Sequence, residues 1–447
     1  MYRLSNFSSV VKSFLQSIFN SLVSFELKFK FFVSSLFKLV FKLLVKHADD
    51  CFFFSSFRKD NFVSRGFVQR TVSTPYGTVT FSRRKYVNKL TSKCYYIDHK
   101  FGIDKYKRLS NELIFELLYE YQFTCANRLA KKYDVSKQTI YNLVNSFQMP
   151  VLDIQRLENG NTCVVYIETD EDHMKCKKSR NTYMRIATIH LGVEKECKGR
   201  NRLKDRHTIT FPTMVNLEDV SEYILSYLHK RYDMDKKKLI VNSDGAKWIT
   251  SLVDMLSIYK PIHIYDKFHL IKAIREISKM DKNISKNLYK WIKDDDFGAL
   301  ENFYETFKEE EKVSQRRKDL MKMILNQYEK IRRIYTEEDY IGSRTEALVS
   351  QICSRYLSSR PKAFSRKKII SRGLYLSFFA NYGHNEEELR ELYFRSKKTM
   401  EINEIIEIEE TKEPQAELKT TTNIPYTREK ECPVREVLRE ISHLKII

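Results

Sequence analysis

The chain has 447 residues, with 79 Lys+Arg against 58 Asp+Glu and a formal charge of +21. Its 42% hydrophobic and 13% aromatic content excludes a wholly disordered chain, and 11 Gly with 8 Pro exclude collagen-like and low-complexity architectures. The charge points to a polyanionic partner, nucleic acid before anionic membrane, and it is concentrated at the front, where residues 1–110 hold 20 Lys/Arg and 6 Asp/Glu. Eight scattered cysteines without a CxxC pair argue against a zinc ribbon or a secreted disulfide framework. A cytoplasmic, nucleoid-associated location is therefore expected.

Residues 1–69 read as a basic amphipathic helical region. Lys38, Lys42 and Lys46 recur every four residues, opposite Phe37, Val40, Phe41 and Leu44. These lysines interrupt the run of about 20 apolar residues that a membrane span requires. A helix packed in an N-terminal domain, or used for dimerisation, is expected. Residues 52–68 look irregular. Over 70–109 alternation takes over: Arg70 to Thr74, a Pro75-Tyr76-Gly77 turn, then Thr78 to Ser82 predict a β-hairpin, with a third strand through Lys85-Tyr86-Val87 and residues 94–97.

Residues 110–150 predict a helix-turn-helix. Ser110 is placed to cap a first helix and Ser136 the last, with Ala126, Leu129, Ala130, Val135, Ile140 and Leu143 where the helices pack. Lys137, Gln138, Thr139, Tyr141 and Asn142 then fall near an exposed helix N-terminus, and their types suit phosphate and base-edge contacts in a major groove. A purely structural helical hairpin shares the pattern.

Residues 160–366 read as an α/β domain. Strands are expected at 163–168, 183–193 and 207–211, a helix at 217–232, then strands at 239–241 and 262–265, with helices at about 270–340. Three strands, a helix, then two strands that each end in an acid is the order of an RNase H-like domain. A basic helical segment is expected at 367–395 and a charged tail at 396–447. Metal-dependent phosphoryl transfer needs hard carboxylates gathered at one edge. Asp170 ends one strand, Asp244 another, and Glu346 opens a helix after the inserted helices. Asp172 competes with Asp170, and Asp244 within Ser-Asp-Gly also suits a plain turn.

The segments Ile167 to His173 (IETDEDH), Asn242 to Ile249 (NSDGAKWI), Tyr265 to Leu270 (YDKFHL) and Gly342 to Pro361 (GSRTEALVSQICSRYLSSRP) resemble the motif series of a bacterial insertion-sequence transposase family of the ISLre type. That family, often catalogued as an uncharacterised protein family, is close to the Mutator-like DDE transposases. The resemblance implies Asp170, Asp244 and Glu346 as a DDE triad holding two Mg²⁺ (or Mn²⁺) ions, with Asp266 and His269 assisting in an Asp-x-x-His motif. It also implies strand cleavage and strand transfer at insertion-sequence ends, with terminal inverted repeats and target DNA as partners and a homodimer or higher oligomer on DNA. Ala347-Leu348 departs from the Gly-His expected after the Glu. Lys247, Lys272, Arg355, Arg360 and Lys362 are candidate phosphate contacts. Two alternatives stand beside this reading: a non-catalytic helix-turn-helix protein derived from a transposase, and an RNase H-like nuclease.

Overall fold

A computed structural model describes residues 11–16, 25–148, 154–157, 163–176, 179–197, 200–279, 281–357, 364–383 and 385–395. The chain divides into two compact units, Met1–Val144 and Asn145–Ile447.

In the first unit a long helix α1 (Phe25–Phe54) and a short α2 (Ser56–Asn61) lead into a hairpin of β1 (Phe62–Thr74) and β2 (Gly77–Asn88), edged by β3 (Cys94–Tyr95). The hairpin turns at the predicted Pro-Tyr-Gly, but its strands are longer than the alternation suggested. Residues expected to be irregular are the end of α1, then α2, then the start of β1, and the Lys85-Tyr86-Val87 stretch continues β2. The face of α1 against the hairpin is Phe37, Phe41, Val45, Ala48 and Phe52, packed on Val72, Val79 and Phe81. Val40 and Leu44, expected on that face, are exposed. The reason is geometric: i, i+4 spacing from Phe37 runs through Val45, and Val40 and Leu44 lie off that line. Asp49 comes with the same stripe and is buried, accepting from Tyr86 Oη at 2.7 Å and pairing with Arg84 at 3.2 Å.

Three helices follow: α3 (Asn111–Glu120), α4 (Ala126–Tyr133) and α5 (Lys137–Asn145). Ser110 caps α3 through Leu113 N at 3.2 Å, and Ser136 caps α5 through Thr139 N at 3.0 Å. Ala126, Leu129 and Ile140 are buried, and Asp134 makes the turn between α4 and α5 in the left-handed region at φ 50.

The second unit is built on a five-stranded sheet in the order β10-β9-β4-β5-β8. Its strands are β4 (Val164–Cys176), β5 (Ser179–His190), β8 (His207–Pro212), β9 (Lys238–Ser243) and β10 (Ile262–Tyr265). β4, β5 and β8 pair antiparallel; β9 runs parallel to β4, and β10 parallel to β9. A small ribbon, β6 (Val193–Cys197) with β7 (Arg200–Leu203), interrupts the meander. On one face α6 (Leu217–Arg231) and α7 (Lys247–Met255) enclose Val165, Ile167, Leu239 and Val241. On the other, five helices between β10 and Gly342 cover Val164, Tyr166, Ile240 and Ile264. These are α8 (Lys267–Ser278), α9 (Lys282–Lys293), α10 (Phe297–Glu309), α11 (Gln315–Asn326) and α12 (Tyr328–Thr336). Alternate residues of β4 therefore serve two cores, and each fully buried Ile or Val there contributes about 1.5–3 kcal/mol.

Beyond the insertion the chain forms α13 (Thr345–Leu348) and a wide π-helical turn Val349–Ser354, both beside β4, and then α14 (Arg355–Leu357). Helix α15 (Arg366–Tyr382) lies on β8, where Thr210 N donates to Ser377 Oγ at 2.7 Å. The predicted basic C-terminal segment thus belongs to the sheet unit. The 396–447 tail, Arg360 and Lys362 lie outside the described residues. Among the described residues no helix is long and apolar enough to cross a membrane.

Candidate active site

Register decides which acids meet. Glu168 pairs with Asn242 across β4 and β9, and Tyr265 pairs with Ser243 across β10 and β9. Continuing those registers sets Asp170, Asp244 and Asp266 in one row at the carboxyl ends of the parallel strands. The Ser243-Asp244-Gly245 turn closes this edge with Gly245 at φ +81, where a Cβ would sit 3.0 Å from the Tyr265 ring. Glycine is needed there on both counts.

Asp170, His269 and Glu346 each offer a ligand atom, and all three atoms lie within 4.8 Å of one another. His269 comes from the first turn of α8, and Glu346 from the first turn of α13, with His269 Nε2 3.7 Å from Glu346 Oε2. Asp170 is buried, His269 half-buried and Glu346 exposed, so the cluster opens to solvent on the Glu346 side. Asp172, the competing acid, is not in this group. Neither is Asp244, whose Oδ1 accepts from Ala246 N at 2.9 Å within its turn. The geometry sets His269 beside Asp170 and Glu346 where the sequence suggested Asp244.

Asp244 still acts on the cluster through space. Burial pushes the Asp170 carboxyl up to about 7, and the negative charges of Asp244, Glu346 and Asp266 push the same way against the opposing Glu171 N–H. The hydrogen-bond donors that reach the acids beneath are amides and hydroxyls, and the buried His190 Nε2 lies 3.5 Å from Glu168 Oε1. Asp266 accepts from Phe268 N at 2.7 Å, from Ser343 Oγ at 3.0 Å and from the Thr345 hydroxyl. Glu168 accepts from Asn242 Nδ2 at 3.0 Å and Arg344 N at 3.3 Å, and shares with Asp266 the one Ser343 hydroxyl proton, whose Oγ lies 3.0 Å from each. Asp266, expected to assist the chemistry, is 2% exposed with both oxygens engaged in these bonds, which places it beneath the cluster.

A divalent cation fits such a site. The Asp170 and Glu346 carboxylates meet His269, with Asp244 and Asp266 close enough to act on Asp170, and no Lys or Arg side chain hydrogen-bonds to Asp170, Asp244, Asp266 or Glu168 among the described residues. Two carboxylates and an imidazole suit Mn²⁺ or Mg²⁺ with water completing the shell.

Of the other expected site residues, Lys137, Gln138, Tyr141 and Asn142 are exposed and Thr139 is half-buried, with Gln138 Nε2 donating to Asn142 Oδ1 at 2.7 Å. Lys247, Lys272 and Arg355 are exposed on α7, α8 and α14. Glu168 and Ser343 escaped the sequence reading. Glu168 was detectable, because i, i+2 spacing on a strand puts it on the face of Asp170.

Acids and an imidazole gathered at the carboxyl edge of a mixed sheet, roofed by an inserted helical layer, define an α/β protein with a candidate cation centre. The chain belongs to the Uncharacterised protein family (UPF0236), which it matches over residues 19–382. It is similar to the UPF0236 protein TTE2489 of Caldanaerobacter subterraneus subsp. tengcongensis, 26% identical over 405 residues that cover 87% of this chain and 86% of the relative. The UPF0236 protein TTE0402 of the same organism is likewise 26% identical, covering 87% and 81%.

Proposed function

We propose that this protein is a DDE-type transposase that cleaves and joins DNA at the ends of an insertion sequence, on an RNase H-like sheet. The observation that supports it most is the Asp170–His269–Glu346 cluster at the sheet edge, with Asp244 close enough to raise the Asp170 pKa. The strand order and directions also agree with that sheet type. Held by Asp170, Glu346 and His269, with Asp244 beside it, a divalent ion would activate water or a 3′-hydroxyl and neutralise the leaving oxygen. The chain's own residues do the rest. Asp170 is fixed by β4, His269 and Glu346 by helix starts, so ligand directions are set before DNA arrives. No serine or tyrosine nucleophile is required.

Duplex DNA is the substrate that the remaining surface suits. The strands β1 and β2, Phe62–Asn88, contain five Lys/Arg and no acidic residue, and α5 offers Lys137, Gln138, Tyr141 and Asn142 to solvent. The test is cleavage of labelled duplexes carrying the DNA that flanks the coding region, compared with an RNA–DNA hybrid. Mg²⁺-dependent nicking of the duplex ends, lost in Asp244→Asn, is expected. Cleavage confined to the hybrid would move the assignment to a nuclease, and metal-independent binding without cleavage would move it to a regulator.

A further inference from the structure

Three side chains outside the cluster connect all the elements that carry it. Asp266 gives one oxygen to each side of a joint. Its Oδ1 caps α8 through Phe268 N at 2.7 Å, next to His269, while its Oδ2 receives Ser343 Oγ at 3.0 Å and the Thr345 hydroxyl, next to Glu346. Glu168, two residues before Asp170 on the same face of β4, holds the other side of that segment through Ser343 Oγ and Arg344 N. Both carboxylates are almost fully buried. Ser343 has a single proton and stands within 3.0 Å of each. Without it, two buried carboxylates would face one another with fewer donors between them, an arrangement that costs free energy in low-dielectric surroundings.

We infer that Glu168, Ser343 and Asp266 form a latch that positions Glu346 and His269 against Asp170, so that cation affinity is set by three residues that do not touch the cation. The latch goes deeper than the cation-site reading and rests on it for its functional consequence. Chain direction explains why one is needed. Asp170 and His269 are tied to the sheet at β4 and β10, whereas Glu346 returns only after five inserted helices, a separation over which small shifts add up. Further along the return path, Tyr166 Oη donates to Asp339 O at 2.7 Å and Lys238 Nζ pairs with Asp339 at 2.9 Å, which fixes the chain before Gly342. Ser343 and Thr345 fix it after.

The experiment uses the full chain and Mn²⁺ alone, with binding followed by electron paramagnetic resonance and amide hydrogen exchange read over residues 343–349. Ser343→Ala and Thr345→Val are expected to weaken Mn²⁺ binding at least about tenfold and to speed exchange there by a similar factor, with exchange in β9 unchanged. Thr345→Ser keeps the hydroxyl and should restore both. Asp170→Asn should lose Mn²⁺ yet keep wild-type exchange at 343–349, which separates a ligand from a positioning residue. Wild-type Mn²⁺ affinity and exchange in folded Ser343→Ala and Thr345→Val would overturn the latch. Absence of Mn²⁺ binding in the wild type would instead overturn the cation site, and the exchange comparison would still decide the latch.

Discussion

Asp170 concentrates the conflict between stability and function in one side chain. Its folded-state pKa near 7 lies above the ordinary carboxylate value, so its ionisation opposes folding above that pH, and the opposition fades as pH falls towards the unfolded value. Asp170→Asn removes the charge and keeps the shape. In cation-free protein at pH 8 it should therefore raise unfolding free energy, by at most about 4 kcal/mol, while abolishing cation binding. Urea denaturation checks this, and a destabilised Asn variant would contradict it. At this scale backbone position was legible for Glu346, which opens α13, whereas Asp170, expected to end a strand, lies inside β4. The resemblance, not the spacing, brought in His269. What the sequence did not show was direction: nothing in Ser-Asp-Gly says that Asp244 turns back to its own Ala246 N–H, or that Asp266 spends both oxygens on the joint beneath the cluster.

Among the elements, α15 and α5 carry the sharpest expectations. Gly373 lets α15 press onto β8, since a Cβ there would stand 2.9 Å from Thr210 O, which is backbone and cannot swing aside. Gly373→Ala gains helix propensity of about 1 kcal/mol but must push the helix off the sheet, and a net loss of about 1–3 kcal/mol is expected in chemical denaturation. On α5, Lys137→Ala should weaken binding to all duplexes about equally and reduce the salt dependence by about one ion. Gln138→Ala, an uncharged change, should leave the salt slope alone and relax discrimination between sequences by about 1–3 kcal/mol; competition binding at several salt concentrations separates the two. Element by element, apolar runs such as 239–241 and 262–265 were legible because burial on both faces leaves little else they could be. Strand ends were not. β4 continues through Asp170, Glu171 and Asp172 because β5 pairs with them, a long-range fact that polar composition hides. The β6–β7 ribbon was missed for the same reason, its Glu, Lys and Arg residues giving no apolar period.

The whole molecule should respond to pH through its buried histidines. Burial pushes His207 and His263 down to about 3; His207 Nε2 lies 3.0 Å from Tyr223 Oη and His263 Nε2 lies 2.6 Å from Ser243 Oγ. Between that value and the ordinary one near 6.5, the unfolded chain binds protons that the folded chain refuses. Stability is therefore present above about pH 6.5 and falls below it, by about 1.4 kcal/mol per pH unit for each histidine. Asp170 and Glu171, both raised by burial, pull the opposite way in the same window, so the histidine contribution is read as the slope lost in His207→Gln and His263→Gln in urea titrations between pH 6 and 4. Variant slopes equal to the wild-type slope would contradict their burial. In the proposed function the +21 charge would attract a polyanion, and the acidic edge would hold a cation where the polyanion's backbone reacts. The most direct test of that claim is a Mg²⁺ titration of strand cleavage on duplexes ending in the flanking DNA, comparing wild type with Glu346→Gln. The account predicts cleavage that saturates with Mg²⁺ and falls at least about a thousandfold in the variant; cleavage by Glu346→Gln at the wild-type rate would contradict it.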